Sequence, residues 1–459
     1  MMLRIVFPDG CRAEKRWIAD VVLGEWLGLS FEIAFDEGSD VRIVAPGAPG
    51  ARGETLSLPE VFFALASAAW LGRASLPPEP LAQWRPDRCG LQPPLLHPAV
   101  PVLYGVSEEP HAGLPIDIFG SAFFMLTRYE EAVSDLRDGH ERFPLAASLA
   151  HRYGFVERPL VDEYVEILWA ALARRWPRLE RKTRTFKTVV SCDVDHPYHP
   201  SARSLGRLAK RAIGEAIRRR SLAAALAPVR NHIASRRGDW RGDPYYHTVD
   251  WMMEVNERAG NTVAFYFIPE ITDAAVDDTC ALTDPAVIAM IRRIAARGHE
   301  IGIHPGYRTY RSSGRIRSGL DKLQRLLRQQ DIEQRIAGGR QHYLRWSVHT
   351  PGAWDAAGLH YDSTLGYAER AGFRCGTSRE FPMFDLCERR ALRLRQRPLI
   401  CMEVSVIQHM GYGVTEAAWA KMAELKAIVR KFNGDFTLLW HNSGFEAAGA
   451  KEMYCGIIA

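Results

Sequence analysis

The stretch "TVVSCDVDHPYHP", residues 188–200, decides how the second half of the chain folds. An apolar, β-branched run reaches Cys192, and two aspartates, Asp193 and Asp195, follow it with one residue between them. Such a run is typical of a buried strand. Residues two apart in an extended segment point to the same side, so both carboxylates are expected to face one place. Because His196 comes next, the polar residues at the end of this strand are candidates for a chemical role as well as a structural one.

From residue 188 onward, strand and helix patterns alternate along the chain. The predicted strands are 188–192, 262–268, 299–304, a short one near 338–343, 399–406 and 436–441. Amphipathic helices are predicted between them, as at 284–298, where an Asp-Pro start precedes an apolar stripe that ends at a glycine. This alternation predicts an α/β fold built on a parallel sheet or barrel. We expect a C-terminal domain over 188–459, preceded by a smaller mixed α/β domain over 1–180.

Polar residues fall at one position of that pattern, where a predicted strand ends and a loop begins. In a parallel sheet or barrel these strand ends gather on one face, and active sites are built there. The residues concerned are Asp193, Asp195, His304, Arg340, His342 and His441. We therefore expect these side chains to lie close together.

Residues 188–445 resemble a polysaccharide deacetylase domain of the NodB-homology type, carbohydrate esterase family 4. "SCDVDHP" resembles the spaced D-x-D variant of the first motif, and "GHEIGIHPGYR", 298–308, matches the lead-in to the second. "RQHY", 340–343, resembles the third motif and "FTLLWHN", 436–442, the fifth, while the fourth has no clear counterpart. In the N-terminal part, "FGSAFFMLTRYEEA" and "VERPLVDEY" resemble the uncharacterised domain that often precedes such deacetylases in bacterial surface-polysaccharide clusters.

The resemblance implies a distorted (β/α) barrel and a role for each matching residue. It implies that Asp193 is the catalytic base and that Asp195 and His304 bind a metal ion. It also implies that Arg340 contacts the catalytic aspartate and that His441 is the general acid. The cofactor it implies is a divalent cation, with Zn²⁺ as the default.

One departure from the family pattern concerns the metal site. Arg308 stands where the second histidine of the second motif is expected, which leaves two protein ligands where a catalytic zinc normally has three. His342 is our candidate for the third ligand, because it follows Arg340 at strand spacing. His196 is the alternative.

Three residues near these motifs are predicted to contact substrate. They are Tyr307, Arg308 and Trp346, with Trp354 as an alternative aromatic residue. Arg308 is equally compatible with a scaffold role.

The predicted function is hydrolytic, metal-dependent N-deacetylation of an N-acetylated sugar or polysaccharide in bacterial surface-glycan biosynthesis. Two alternatives use the same scaffold. One is an inactive glycan-binding protein, which the missing histidine favours. The other is a metal-free amide hydrolase, as relatives that act on cyclic amides suggest.

Charge is concentrated in residues 201–241, a helical insertion with eleven Arg and Lys against two acidic residues. Its net charge of +9 leaves −4 for the rest of a chain whose total is +5. The insertion is either a solvated excursion or a peripheral contact with a membrane or an acidic surface. Nucleic acid is not expected, because no recognition motif accompanies the charge.

The sequence also carries signals about the compartment. The eight cysteines form no C-x-x-C pair, which fits a reducing cytosol. The start shows no secretory leader, and the longest apolar run, near 61–72, is much shorter than the ~20 residues that a membrane span needs. We therefore expect a cytoplasmic protein that can lie at the inner membrane surface.

Overall fold

The computed structural model of the protein describes residues 1–45, 55–106 and 113–459, apart from the side chains of residues 218, 219 and 224. It is a mixed α/β protein, as predicted. The strands are β1 (Leu3–Pro8), β2 (Phe31–Asp36), β3 (Asp40–Val44), β4 (Leu56–Pro59), β5 (Ala82–Trp84), β6 (Val100–Val102), β7 (Lys187–Val194), β8 (Val263–Phe267), β9 (Glu300–Ile303), β10 (Gly338–Gly339), β11 (Tyr361–Asp362), β12 (Phe381–Asp385), β13 (Arg390–Gln396), β14 (Cys401–Met402) and β15 (Asp435–Leu439).

The described residues form three sheets, the smallest of which is the antiparallel pair β5 and β6, and thirteen α-helices. They are α1 (Arg12–Ala19), α2 (Ile118–Leu126), α3 (Tyr129–Val133), α4 (Leu149–Arg152), α5 (Leu160–Arg175), α6 (Leu205–Arg219), α7 (Leu222–Arg236), α8 (Pro244–Arg258), α9 (Pro285–Ala296), α10 (Ser313–Gln329), α11 (Thr350–Ala357), α12 (Glu416–Lys431) and α13 (Ala450–Ile458). Helix α9 shows why the sequence pattern works: Asp284 accepts a hydrogen bond from the N–H of Ala286, and Pro285 occupies the first turn.

The N-terminal part is built on a four-stranded mixed sheet in the order β2-β1-β3-β4. Strands β1 and β2 are parallel, and the other two pairs are antiparallel. Helix α2 is buried along its whole length, because it lies between α1, α3 and α5. An apolar helix of this kind serves as core, since no face is left for solvent.

The C-terminal part is built on a nine-stranded sheet in the order β12-β13-β11-β10-β9-β8-β7-β15-β14. All neighbouring pairs are parallel except β12 and β13. The closed barrel of the prediction is not confirmed, because in the described ranges β12 and β14 form two edges that do not pair with each other.

Buried contacts join the two parts of the chain. Glu131 in α3 accepts hydrogen bonds from Arg128 at 2.8 Å and from Arg374 at 2.7 Å, and all three side chains are buried. The indole of Trp26 donates to the carbonyl of Glu380 at 3.2 Å. Polar and apolar side chains pack across the predicted division between residues 180 and 188, and the division itself stays a prediction.

Parallel pairing sets the positions of the strand ends. Val194 pairs with Phe267, which pairs with Ile303 on its other side, and Ile303 pairs with Gly339. The residues that follow these positions therefore leave the sheet at one edge, its carboxyl edge. They are Asp195, His304 and Arg340.

One predicted strand is much shorter than expected. Of residues 399–406, only β14 is extended, and the chain then forms a π-helical turn over Ser405–His409. The short strand leaves Glu403 at the same carboxyl edge, beside the end of β15. The charged residue inside an apolar run thus marks the place where the strand ends.

Strand β10 consists of two glycines because its neighbours lie too close for any side chain. A Cβ at Gly339 would lie 1.7 Å from the carbonyl oxygen of Ile303, and one at Gly338 would lie 2.4 Å from that of Tyr361. Backbone atoms cannot rotate away from such an overlap as a flexible side chain can. The central strands therefore depend on glycine at both positions.

We expect Gly339→Ala to lower the free energy of unfolding by about 3 kcal/mol, because the added methyl group overlaps backbone. The matched control is Gly314→Ala in α10, where a Cβ would meet nothing within 4 Å. Urea unfolding followed by circular dichroism measures both variants. Equal midpoints for the two variants would contradict this account of β10.

Candidate active site

The two carboxylates after the apolar run lie together at the carboxyl edge of the sheet. Asp193 is the last residue but one of β7, and Asp195 follows the strand. Asp193 is 2 % exposed, whereas Asp195 is partly open to the cavity described below. Histidines and an arginine from the neighbouring strand ends surround both side chains.

Two histidines present the same nitrogen to Asp195. Nε2 of His304 lies 3.3 Å from Oδ1 of Asp195, and Nε2 of His342 lies 3.7 Å from the same oxygen. The other nitrogen of each ring is occupied. Nδ1 of His304 lies 2.5 Å from the carbonyl oxygen of Arg340, and Nδ1 of His342 lies 2.7 Å from Oδ1 of Asp277. Because Nδ1 donates in both contacts, the lone pair of each Nε2 points toward Asp195.

These three side chains fit a divalent cation. One ligand atom from each of Asp195, His304 and His342 lies within 4.8 Å of the others. Oδ1 of Asp195 is buried and accepts no hydrogen bond within the described part of the chain, although two ring nitrogens face it. One carboxylate and two imidazoles are the donor set of many three-ligand catalytic zinc sites.

Neighbouring charges shift the pKa values of the groups in this cluster. Burial raises the pKa of Asp195, but the close contact with His304 and the charges of His342 and His441 outweigh burial and lower that pKa. Burial lowers the pKa of His304, but the charges of Asp193 and Asp195 outweigh it and raise that pKa. A proton and a cation therefore compete for Nε2 of His304.

An arginine fixes the position of Asp193 beside the three ligands. Nη1 of Arg340 donates to its Oδ1 at 2.7 Å, and the guanidinium is fully buried. Nε of Arg340 donates to the carbonyl of Ser363 at 2.9 Å, and Nη2 donates to the Ser363 hydroxyl at 3.0 Å. With Oδ1 held in this way, Oδ2 of Asp193 faces Nε2 of His304 at 3.8 Å.

A second charged pair lies across the cluster. Nδ1 of His441 lies 2.7 Å from Oε1 of Glu403, and Nε2 lies 3.7 Å from Oδ2 of Asp195. Burial lowers the pKa of His441, but the charge and hydrogen bond of Glu403 outweigh burial and raise the pKa to about 10. His441 thus carries a proton at neutral pH and directs Nε2 toward Asp195.

A cavity of about 260 Å³ opens onto these side chains. Its lining is polar around the cluster and apolar on another side. The apolar members are Leu344, Ala368, Met402, Val404 and Leu439, and the polar members beyond the cluster are His140, Arg142, Tyr343 and His409. His140 and Arg142 come from the N-terminal part of the chain, so both parts of the protein line one cavity.

The loop that carries His140 and Arg142 is fixed at both of these residues. Asp138 accepts from the backbone N–H of His140 at 2.8 Å and pairs with the Arg142 guanidinium at 2.7 Å. Across the boundary, Nδ1 of His140 lies 3.0 Å from the hydroxyl of Tyr307, and Nη1 of Arg142 donates to the carbonyl of Tyr343 at 3.1 Å. The loop therefore belongs structurally to the cavity.

The structure places the predicted residues in two groups. It brings together the six at the strand ends, as described. Arg308 lies elsewhere, with its exposed side chain paired to Asp273 at 2.8 Å, and Trp346 is buried against Arg374. Tyr307 is not among the lining residues, but it contacts two that are, His140 and Tyr343.

The alternatives considered for the third ligand and the aromatic wall also lie elsewhere. His196 is outside the three-residue cluster and stacks near Tyr245, with ring centroids 6.4 Å apart. Trp354 is a fully buried residue of α11.

Four residues of the site were missed from the sequence. Asp277 lies in an irregular loop after β8 and carries no pattern that marks it. Glu403 had a usable signal, since it is the one charged residue of "LICMEVSV". His140 and Arg142 are far from the other residues in the chain, and only the packing of the two parts brings them near.

The N-terminal part of the chain is similar to a known family. The sequence model of a family of unknown function, DUF7033, matches residues 3–177. No curated protein matches the chain.

Two solved structures are similar to parts of the chain. One is a candidate polysaccharide deacetylase from Mycobacterium smegmatis, with a TM-score of 0.38 and 18 % identity over 61 % of this chain and 85 % of that one. The other is a candidate polysaccharide deacetylase involved in O-antigen biosynthesis from Bordetella bronchiseptica, with a TM-score of 0.24 and 13 % identity over 43 % of this chain and 66 % of that one. Likenesses at this level do not establish a shared activity.

The geometry of the three ligands yields a prediction about metal content. His342→Ala is expected to lower the affinity for Zn²⁺ at least about tenfold, because changes even to residues that only orient ligands cost that much. The matched control is His196→Ala, which removes an imidazole outside the cluster. Metal content after dialysis against limiting Zn²⁺ measures both, and full occupancy in His342→Ala would contradict the assignment.

Proposed function

We propose that the protein is a metal-dependent hydrolase that removes the acetyl group from an N-acetylated sugar or glycan. The observation that carries the proposal is the position of Asp193, a carboxylate that lies beside the three ligands without being one of them. Arg340 holds one of its oxygens, and its other oxygen stays next to the cluster. A buried carboxylate that is not needed as a ligand is suited to take a proton.

Asp195, His304 and His342 would hold the cation. When bound, a divalent cation such as Zn²⁺ polarises the acetamide carbonyl and makes water acidic enough to act as hydroxide near neutral pH. The protein contributes the orientation of these ligands through Asp277 and the carbonyl of Arg340.

Asp193 acts as the general base. Its Oδ2 accepts the proton of the water that attacks the acetamide carbon. The ion pair with Arg340 fixes the direction of the carboxylate. Ser363 fixes the arginine in turn, so the base is positioned through two successive contacts.

His441 acts as the general acid. As the carbon–nitrogen bond breaks, its Nε2 gives a proton to the departing amine, and acetate and a free amino sugar remain. Glu403 holds the Nδ1 proton and stabilises the charged ring before that transfer. A buried carboxylate and a protonated imidazole on different sides of the cluster are suited to divide the roles of base and acid.

The cavity suits a sugar that carries an acetamido group. Its apolar side can accept the acetyl methyl group, and the residues at its rim can bind hydroxyl groups. The ring of His140 uses Nδ1 for Tyr307, which leaves Nε2 for substrate. Arg308 and Trp346 are not among the lining residues, so we assign the polar contacts to the loop of His140 instead. A place in bacterial surface-glycan biosynthesis follows from the N-terminal resemblance alone.

The test of the function is acetate release from an N-acetylhexosamine oligomer. With Zn²⁺ restored, the wild-type chain should release acetate, and Asp193→Asn should be slower by roughly 10²- to 10⁴-fold, because the base is lost. Metal content of the variant should stay unchanged. The matched control is Asp321→Asn, the same change at an exposed carboxylate of α10.

Other outcomes of that assay favour the alternatives. Oligomer binding without acetate release would indicate a glycan-binding protein. Activity that survives verified removal of the metal would indicate a metal-free amide hydrolase.

A pair of substitutions tests the substrate contact of His140. The side-chain amide of Asn can replace the Nδ1 contact with Tyr307 but cannot reach the position of Nε2, whereas the amide of Gln can. Only His140→Asn is therefore expected to raise KM, about fivefold for one lost hydrogen bond. Steady-state kinetics measures both variants, with kcat expected to change little. Equal KM values for the two variants would contradict a direct contact.

A further inference from the structure

The helical insertion forms a two-helix arm, α6 and α7 over residues 205–236, which we call the basic hairpin. Among the described residues, thirteen large apolar side chains are exposed, and six of them lie in this hairpin. They are Leu205, Ile213, Ile217, Leu222, Leu226 and Ile233. The concentration is unusual, because single exposed apolar residues are normal but clusters mark interaction sites.

Each helix gathers these side chains on one face. In α6, Leu205, Ile213 and Ile217 recur at intervals of eight and four residues, and Ile217 is 73 % exposed. In α7, Leu222, which is 82 % exposed, is followed by Leu226 and Ile233 at intervals of four and seven. Intervals of four, seven and eight return to the same side of a helix, so each helix presents an apolar face to solvent.

The base of the hairpin is fixed to the carboxyl edge of the nine-stranded sheet. Arg203 and Arg207 pair with the two oxygens of Asp278 at 2.9 and 2.6 Å, and Arg211 pairs with Glu446 at 3.0 Å. Asp278 directly follows Asp277, whose carboxylate orients the ring of His342. Since a helix of fifteen residues is about 22 Å long, the apolar face of α6 lies within that distance of these anchors.

Cations outside these anchors remain at the surface of the hairpin and its end. They are Lys210, Arg220, Arg230, Arg236 and Arg237, all exposed. With the other basic residues they give the segment 201–241 its charge of +9.

We propose that the basic hairpin docks on an anionic lipid bilayer, with its apolar faces in the headgroup region and its cations on the lipid phosphates. A second copy of the chain is a poor occupant, because pairing through this face would bring two segments of +9 together. A bilayer surface offers both an apolar layer and the opposite charge. None of the described helices is both long and apolar enough to cross a membrane, which fits a helix pair that lies on the surface.

The experiment is co-sedimentation of the full chain with vesicles, without any substrate. Binding is expected to phosphatidylglycerol-containing vesicles, not to pure phosphatidylcholine, and is expected to weaken as salt is raised. Leu222→Ser with Leu226→Ser should weaken it about tenfold or more, and Lys210→Glu with Arg230→Glu should weaken it at low salt. Because these side chains are exposed, the variants should fold normally, which thermal unfolding checks.

The matched control is Leu136→Ser with Ile271→Ser, which removes two exposed apolar side chains outside the hairpin and should leave binding unchanged. Absence of binding to anionic vesicles at low salt would overturn the proposal. The proposal would also be overturned if the chain formed a dimer that dissociates when Leu222 and Leu226 are changed to Ser. Binding to DNA in place of vesicles would overturn it as well. Asp193→Asn should sediment as the wild type does, so failure of the proposed chemistry and failure of the docking are distinguishable.

Discussion

The site depends on how closely the central strands approach one another. At Gly339 the backbone of β10 lies against the carbonyl of Ile303, with no room for a side chain. The approach keeps β9, β10 and β11 in parallel register, and the next residue of each strand then leaves the same edge. His304 and Arg340 come together because their strands end together. The close approach is a property of the backbone, yet it decides which side chains meet at the site.

Each histidine that is assigned a role, and Asp193, is oriented by a second residue. Asp277 fixes the ring of His342, Glu403 fixes His441, and Arg340 fixes Asp193. Such pairs remove rotational freedom before substrate arrives, so that reacting groups need little reorganisation. The loop of His140 extends the same principle across the two parts of the chain.

Much of this arrangement could be predicted from the sequence, because strand alternation and charged strand ends are local patterns. The α/β fold and the meeting of Asp195, His304 and His342 were anticipated, but the reason given for His342 was wrong. It follows Arg340 in a 3₁₀ turn, not in a strand, since β10 ends at Gly339. The closed barrel was not confirmed, and Asp277 and His140 could not be found, because only tertiary packing brings them to the site.

The central claim is that Asp195, His304 and His342 hold one divalent cation. Anomalous diffraction at the zinc edge, from crystals soaked in Zn²⁺, tests it most directly. We expect a single strong peak bounded by Oδ1 of Asp195 and Nε2 of both histidines, with Asp193 outside the coordination sphere. A map without a peak there, or with the peak at His196, would contradict it.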